Sequence, residues 1–281
     1  MAETAGVIVT YDRPDMLRRS LESVLGQSVP PGTVFVIDNS PGDGTRKMIE
    51  KEFPGVEYRH FPENIGSEAG FREGIALASE GHDSVWLMDD DCVAEKEALA
   101  ELLKWGAELG KRYKVGAVRS ARAWDRPGGE PVSKIGDIFA WRGTLLSSEA
   151  VKEVGLPEKD LFLYAGDVEY GLRMRKAGYS LFLVYSSRIE SLELSRKDRG
   201  RFIVRTEMYG QTYRVYYAYR NELWVNGKYR RHAKTFRLIL RGMLNVLFSF
   251  FRGKPELSRA VIDGVRDGSR GRLGKNGRYL P

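Results

Sequence analysis

Apolar residues recur along the first two-thirds of the chain in two alternating rhythms. Short apolar runs bounded by turn residues read as strands, and longer segments with apolar positions three and four apart read as helices. The predicted strands are Val7–Thr10, Thr33–Ile37, Val56–His60, Ser84–Met88, Val115–Ser120 and Ser180–Val184. Asp15–Gly26 carries a helical stripe at Met16, Leu17, Leu21, Val24 and Leu25. Asp43–Phe53, Gly66–Ser79, Glu95–Leu109, Ser148–Val154 and Gly166–Ala177 are also predicted helices. Ile135–Leu146 is less regular and leaves room for short strands. Repeated strand–helix units predict an α/β fold around a mainly parallel, Rossmann-like sheet. Near residues 200–210 the pattern changes to a Tyr-rich, then basic and apolar, helical segment. This gives two expected regions, 1–205 and a helical appendage over 206–281. The Gly- and Arg-rich tail from Gly264 to Pro281 is expected to be mobile.

One strand ends unusually. Val85-Trp86-Leu87-Met88, apolar on both faces, runs directly into Asp89, Asp90 and Asp91. Ligands of open α/β sheets bind beyond the C-terminal strand ends. Three adjacent carboxylates repel one another unless a positive partner sits there. A hard divalent cation with oxygen preference, Mg²⁺ or Mn²⁺, is the natural candidate.

Composition narrows the partners without choosing one. Lys and Arg number 45 against 38 Asp and Glu, a net charge of +7, which suits polyanionic partners. No nucleic-acid recognition motif accompanies the charge, so a basic nucleic-acid-binding protein is the weaker rival. The single cysteine, Cys92, forbids an intrachain disulfide and fits a reducing compartment. Residues Met1–Ala5 are polar and show no leader pattern, and no stretch reads as a clean membrane span. A cytoplasmic placement is therefore expected.

Further motifs keep company with the triplet. Thr10-Tyr11-Asp12-Arg13-Pro14 follows the first strand, and Ile37-Asp38-Asn39-Ser40 the second. Asn64-Ile65-Gly66 and Gly70 open the helix that leads to the triplet strand, and Asp167-Val168-Glu169-Tyr170 lies far downstream. In this order, over roughly residues 5–195, the chain resembles the family 2 glycosyltransferases. Trp86 to Asp91 and the stretch Tyr216-Tyr217 to Arg220-Asn221 resemble the rhamnosyl- and galactofuranosyltransferase branch most. The resemblance implies a GT-A fold and transfer with inversion from a UDP- or dTDP-linked sugar. It implies nucleotide-sugar binding by Thr10, Tyr11, Arg13, Asp38, Asn39, Asn64, Gly66, Gly70, Asp89 and Asp90, with Asp38 accepting a base N–H. Asp89 and Asp91 would hold the metal, Asp167 would be the general base, and Glu169 and Trp141 would orient the acceptor. The acceptor would be a lipid-linked or cell-surface glycan. Relatives often carry a metal-binding His beyond the base; here Ser191 stands nearest that place, with Glu190 and Glu193 beside it. The missing His motivates a second rival, a degenerate scaffold that binds nucleotide or membrane without turnover.

Near the C-terminus, Lys234, Arg237, Arg241, Asn245, Ser249 and Arg252 recur at three- and four-residue steps, a single polar stripe on an otherwise apolar helix. That pattern fits a helix in a membrane interface, placing the protein at the cytoplasmic face. Packing on the protein, or a dimer seam, fits it equally.

Overall fold

The computed structural model describes residues 3–136, 139–192 and 211–280. The described residues fall into two compact units, 1–157 with 170–193 and 158–169 with 194–281. The segment 158–169 thus belongs with the C-terminal helices, although it lies upstream of residue 205.

The first unit is a sheet between two helical layers. Its strands are β1 (Thr4–Thr10), β2 (Thr33–Asp38), β3 (Glu57–His60), β4 (Ser84–Asp89), β5 (Cys92–Ala94), β6 (Val115–Arg122), β7 (Val132–Lys134), β8 (Thr144–Ser147) and β9 (Ser180–Ser191). Its helices are α1 (Pro14–Leu25), α2 (Gly44–Glu52), α3 (Ser67–Ser79), α4 (Ala98–Gly110), α5 (Ser148–Val154) and most of α6 (Gly166–Lys176). The strand order is β3-β2-β1-β4-β8-β6-β9-β5, with β7 against β9. From β3 to β4 every ladder is parallel. Beyond β4 the sheet is mixed: β8 runs antiparallel to both β4 and β6, and β5 and β7 run antiparallel to β9. This half departs from the mainly parallel expectation, because β8 reaches its place without a crossover helix.

Alternation along the central strands fills both faces. Ile8, Trp86 and Met88 join one core with residues of α1, α2 and α4. Val7, Val9, Val85 and Leu87 join the other with residues of α3, α5 and α6. The continuous apolar run before the triplet is therefore a strand with two buried faces. Gly70 and Gly74 bring α3 close to β1: a Cβ on Gly70 would stand 2.7 Å from Val9 Cγ1.

The second unit holds α7 (Thr212–Lys228), α8 (His232–Phe251) and α9 (Pro255–Ser269). Its core is Val215, Tyr216, Tyr217, Tyr219 and Leu223 with Leu238, Leu257 and Val261. Gly264 and Gly268 let α9 lie directly on the α7 backbone; a Cβ on Gly264 would meet Tyr216 O at 2.7 Å. The tail expected to be mobile is instead folded onto this core. Tyr279 is buried, stacks on Tyr216 at 4.2 Å and donates to Asp263 at 2.7 Å. The Asn276 N–H donates to the Tyr217 hydroxyl at 2.9 Å.

Helix α8 corrects the stripe expectation. Asn245 and Ser249, members of the polar stripe, are buried together with Leu238 and Gly242. Asn245 Nδ2 donates to Tyr219 Oη at 2.6 Å. Exposed instead are Phe236, Leu240, Met243, Leu244, Leu247, Phe250 and Phe251. The small and polar residues permit close packing, and the large apolar ones face outward. Among the described residues no helix is long and apolar enough to cross a membrane.

Candidate active site

The ends of β1, β2 and β4 gather the first set of expected residues. Asp38 is fully buried, and both of its carboxylate oxygens already have partners. Oδ1 accepts from the Ser40 N–H at 2.8 Å and from the Ser40 hydroxyl, and Oδ2 accepts from Tyr58 Oη at 2.5 Å. Burial, reinforced by Asp38, pushes the Tyr58 phenol well above its ordinary range. Asp38 thus shapes the turn after β2. An acceptor without any partner is next door: Asn39 is 2% exposed, its Nδ2 donates to Gly66 O at 3.3 Å, and its Oδ1 has no partner. A buried unpaired carbonyl costs roughly 1–3 kcal/mol, so a ligand donor there would be stabilising.

The loop beneath Asn39 explains the Asn64–Gly66 spacing. Asn64 Oδ1 accepts from the Gly66 N–H at 2.8 Å, an Asx turn. Gly66 has φ +85°, where a side chain is strained, and it opens α3. Gly70, expected near phosphate, packs against Val9 instead; a Cβ there would stand 3.2 Å from Asn39 Nδ2, so the bare glycine leaves room for the amide.

The three aspartates diverge in role. Asp90 turns inward: Oδ2 accepts from Thr10 Oγ1 at 2.8 Å and from the Tyr11 N–H at 3.4 Å, and Arg13 Nη1 stands 3.7 Å from Oδ1. Burial pushes its carboxyl up to about 7 although Arg13 and Thr10 oppose the shift. Asp90 therefore fastens the Thr10–Arg13 turn to the end of β4. Asp89 pairs with Arg142 Nε at 3.2 Å. Its carboxyl is raised by burial, opposed by Arg142 and reinforced by Asp91. Asp91 Oδ2 accepts from Ser191 Oγ at 3.2 Å, and its Oδ1 accepts from the Cys92 thiol at 3.3 Å.

Asp89, Asp91 and Cys92 place one donor atom each within 4.8 Å of one another. Burial holds the Cys92 thiol protonated, and protonated sulfur is a poor ligand for a hard cation. The two carboxylates fit a divalent ion such as Mg²⁺ or Mn²⁺. Ser191, at the place of the missing His, reaches this cluster through Asp91. Glu190 is exposed, and Glu193 lies outside the described residues.

Asp167 and Glu169 occupy the first turn of α6, in the second unit. Asp167 is half-buried, and its Oδ1 accepts from the Val168 N–H at 2.7 Å. The loop before it is strained: Phe162, Tyr164 and Ala165 have φ of +62°, +69° and +67°. Asn221 Nδ2 holds that loop by donating to the carbonyls of Leu161 (2.8 Å), Leu163 (2.7 Å) and Tyr164 (3.0 Å). Arg220 Nη2 adds bonds to Asp160 O and Leu161 O, and its Nη1 donates to Gly274 O at 2.6 Å. The Arg-Asn pair, read in the sequence only as a mark of likeness, is the clamp on the Asp167 loop. Glu169 is fully buried and accepts from Lys228 Nζ at 2.8 Å and Tyr229 Oη at 2.9 Å. Trp141, in the first unit, is buried among Phe71, Phe139 and Tyr170 and donates to Glu68 Oε2 at 2.9 Å. These bonds give Glu169 and Trp141 packing duties beside any acceptor contact.

Comparison with known proteins bears on the family and the fold. Residues 7–131 match the family model "Glycosyl transferase family 2". The galactofuranosyltransferase GlfT1 of Mycobacterium tuberculosis is 27% identical over 195 residues, covering 61% of this chain and 64% of its own. GlfT1 of Mycolicibacterium smegmatis is 26% identical over 196 residues, covering 61% and 65%. The chain thus spans less than two-thirds of the length of these curated relatives. Among solved structures, the mannosyltransferase PcManGT of Pyrobaculum calidifontis, in complex with GDP-Man and Mn²⁺, superposes with a TM-score of 0.64 at 14% identity, covering 96% of this chain and 88% of its own. GalNAc-T7 with UDP, GalNAc and Mn²⁺ gives 0.57 at 16% identity, covering 68% and 44%. The fold is GT-A. The ordered motifs, the family match over residues 7–131 and the fold agree: this part of the chain is a family 2 glycosyltransferase-like domain, similar to the galactofuranosyltransferases.

Proposed function

We propose that this protein is an inverting, metal-dependent transferase that moves a sugar from a UDP- or dTDP-sugar to a lipid-linked or cell-surface glycan. The observation that carries the proposal is one juxtaposition: the Asp89–Asp91 donor pair at the end of β4 and the unpartnered Asn39 Oδ1 beyond β2. Uracil and thymine both present a ring N–H that such an acceptor recognises. Thr10 and Tyr11 lie between the two, where a base or ribose can pack. A divalent ion held by Asp89 and Asp91 would neutralise the diphosphate leaving group. Inversion needs a single displacement. The acceptor oxygen bonds to the anomeric carbon, the bond to the diphosphate oxygen breaks, and a base takes the hydroxyl proton. Asp167 is that base in this reading, supported by its half-buried place after a strained, clamped loop. No enzyme nucleophile is needed.

The outward apolar face of α8 supports contact with a lipid surface. Arg230, Arg231 and Lys254 flank the helix and favour anionic lipid.

Release of UDP or dTDP from a panel of nucleotide sugars, with Mn²⁺ or Mg²⁺, tests the proposal. One donor class should turn over in a metal-dependent way. Asp167→Asn should lower the rate by about two to four orders of magnitude while donor affinity stays near normal. Binding without turnover by any donor would favour the degenerate scaffold instead.

A further inference from the structure

Arg119 is a charged residue with no part in nucleotide binding or proton transfer. It lies near the C-terminal end of β6 and is 4% exposed. Nη2 meets Asp125 Oδ2 at 3.3 Å, and Nε and Nη1 are buried without partners. Asp125 is itself shared: its Oδ2 also accepts from Arg122 Nε at 3.2 Å and the Arg122 N–H at 3.1 Å. One carboxylate thus serves two guanidiniums. Burial, helped by the neighbouring charges of Arg122 and Arg142, pulls Arg119 down to about 10, so it remains charged at neutral pH. A buried cation with two orphan donors is costly unless an anion completes it.

The sheet register says where that anion would lie. Arg119 stands opposite Thr144, which stands opposite Leu87. Asp89 follows Leu87 by two residues on the same strand, and Arg142 pairs with Asp89. Arg119 is therefore two strands from β4, about 10 Å at the usual strand spacing. The direction matters: β1 and β2, with Thr10 and Asn39, lie on the opposite side of β4. The nucleoside occupies that opposite side in the proposed function. A group reaching Arg119 lies beyond the diphosphate, toward the sugar or the acceptor.

Resting on that reading, we propose that Arg119 binds an oxyanion, a carboxylate or phosphate, carried by the transferred sugar or by the acceptor. Asp125 is its resting partner. When the anion takes Arg119, Asp125 stays neutralised by Arg122, so the exchange strands no charge. Arginine suits the task because its fixed fork of donors matches planar and tetrahedral oxyanions.

The test uses the full chain with Mn²⁺ and calorimetry in two arms. The donor arm compares UDP-glucuronic acid with UDP-glucose. The acceptor arm compares α-glucose 1-phosphate with methyl α-glucoside, with and without UDP. In one arm the wild type should prefer the anionic ligand at least about tenfold, as charge-assisted hydrogen bonds imply. Arg119→Met should erase that preference, Arg119→Lys should keep part of it, and affinity for UDP itself should not change. The arm that responds identifies the source. Equal affinity for charged and neutral ligands in both arms, or an anion preference that survives in Arg119→Met, overturns the proposal. The wild-type comparison decides even where Arg119→Met folds poorly. Failure of UDP to bind at all would instead count against the donor reading, and the nucleotide-free acceptor arm would still report on Arg119.

Discussion

At the scale of single residues, the site depends on which lone pairs and donors the fold leaves open. Asp38 and Asn39 are neighbours that both carry a side-chain acceptor oxygen, and the sequence marks Asp38 as the base reader. In the structure both Asp38 oxygens have partners, and Asn39 Oδ1 has none. Residue type was legible; occupancy was not, because Tyr58 and Gly66 arrive from other elements. Asn39→Leu keeps the volume and removes the acceptor. It should weaken UDP binding about tenfold or more in calorimetry, while Asp167→Asn leaves that affinity intact. Unaltered UDP affinity in Asn39→Leu would move base recognition elsewhere. The Arg220-Asn221 clamp makes a second residue-scale prediction. Asn221→Leu removes the donor to three carbonyls of a loop with three positive-φ residues. Turnover should drop, with stability lower by roughly 1–3 kcal/mol in urea titration. A clamp that only stabilised the fold would lower the midpoint and leave kcat unchanged below it.

At the scale of elements, the parallel half of the sheet was readable because β1, β2 and β4 each announce their own burial. The strands from β1 to β4 and their helices follow local periodicity to within a few residues. The three-residue β5 and the antiparallel insertion of β8 were not readable, since both depend on partners distant in sequence. Helix α8 shows the limit of pattern alone. Its stripe was visible, but not which side of it faced protein. Gly242, Asn245 and Ser249 are buried because α7 and α9 approach too closely for larger residues. Two variants separate the faces. Gly242→Val should destabilise the protein by about 1–3 kcal/mol through overpacking against Tyr219 and Val261. Met243→Gln with Leu247→Gln should change stability by only about 0.5 kcal/mol, yet abolish flotation with anionic liposomes. Flotation that survives the double change would assign the apolar face to something other than lipid.

At the scale of the whole molecule, a net charge of +7 accompanies a cluster of carboxylates at one strand end. Asp89 and Asp91 concentrate carboxylate at a strand end, Arg142 tempers Asp89, and Asp90 turns away to brace the neighbouring loop. The family was legible in the sequence because five motifs stand in order. The sugar was not, because its pocket depends on side chains brought together by folding. The central claim is that Asp89 and Asp91 hold a divalent ion that binds the nucleotide diphosphate. Calorimetric titration of UDP into the wild type and Asp91→Ala, each with Mn²⁺ and with EDTA, tests it most directly. Tight binding is expected only for the wild type with Mn²⁺, with a loss in Asp91→Ala as large as the loss on chelation. Equal UDP affinity in all four titrations would contradict it.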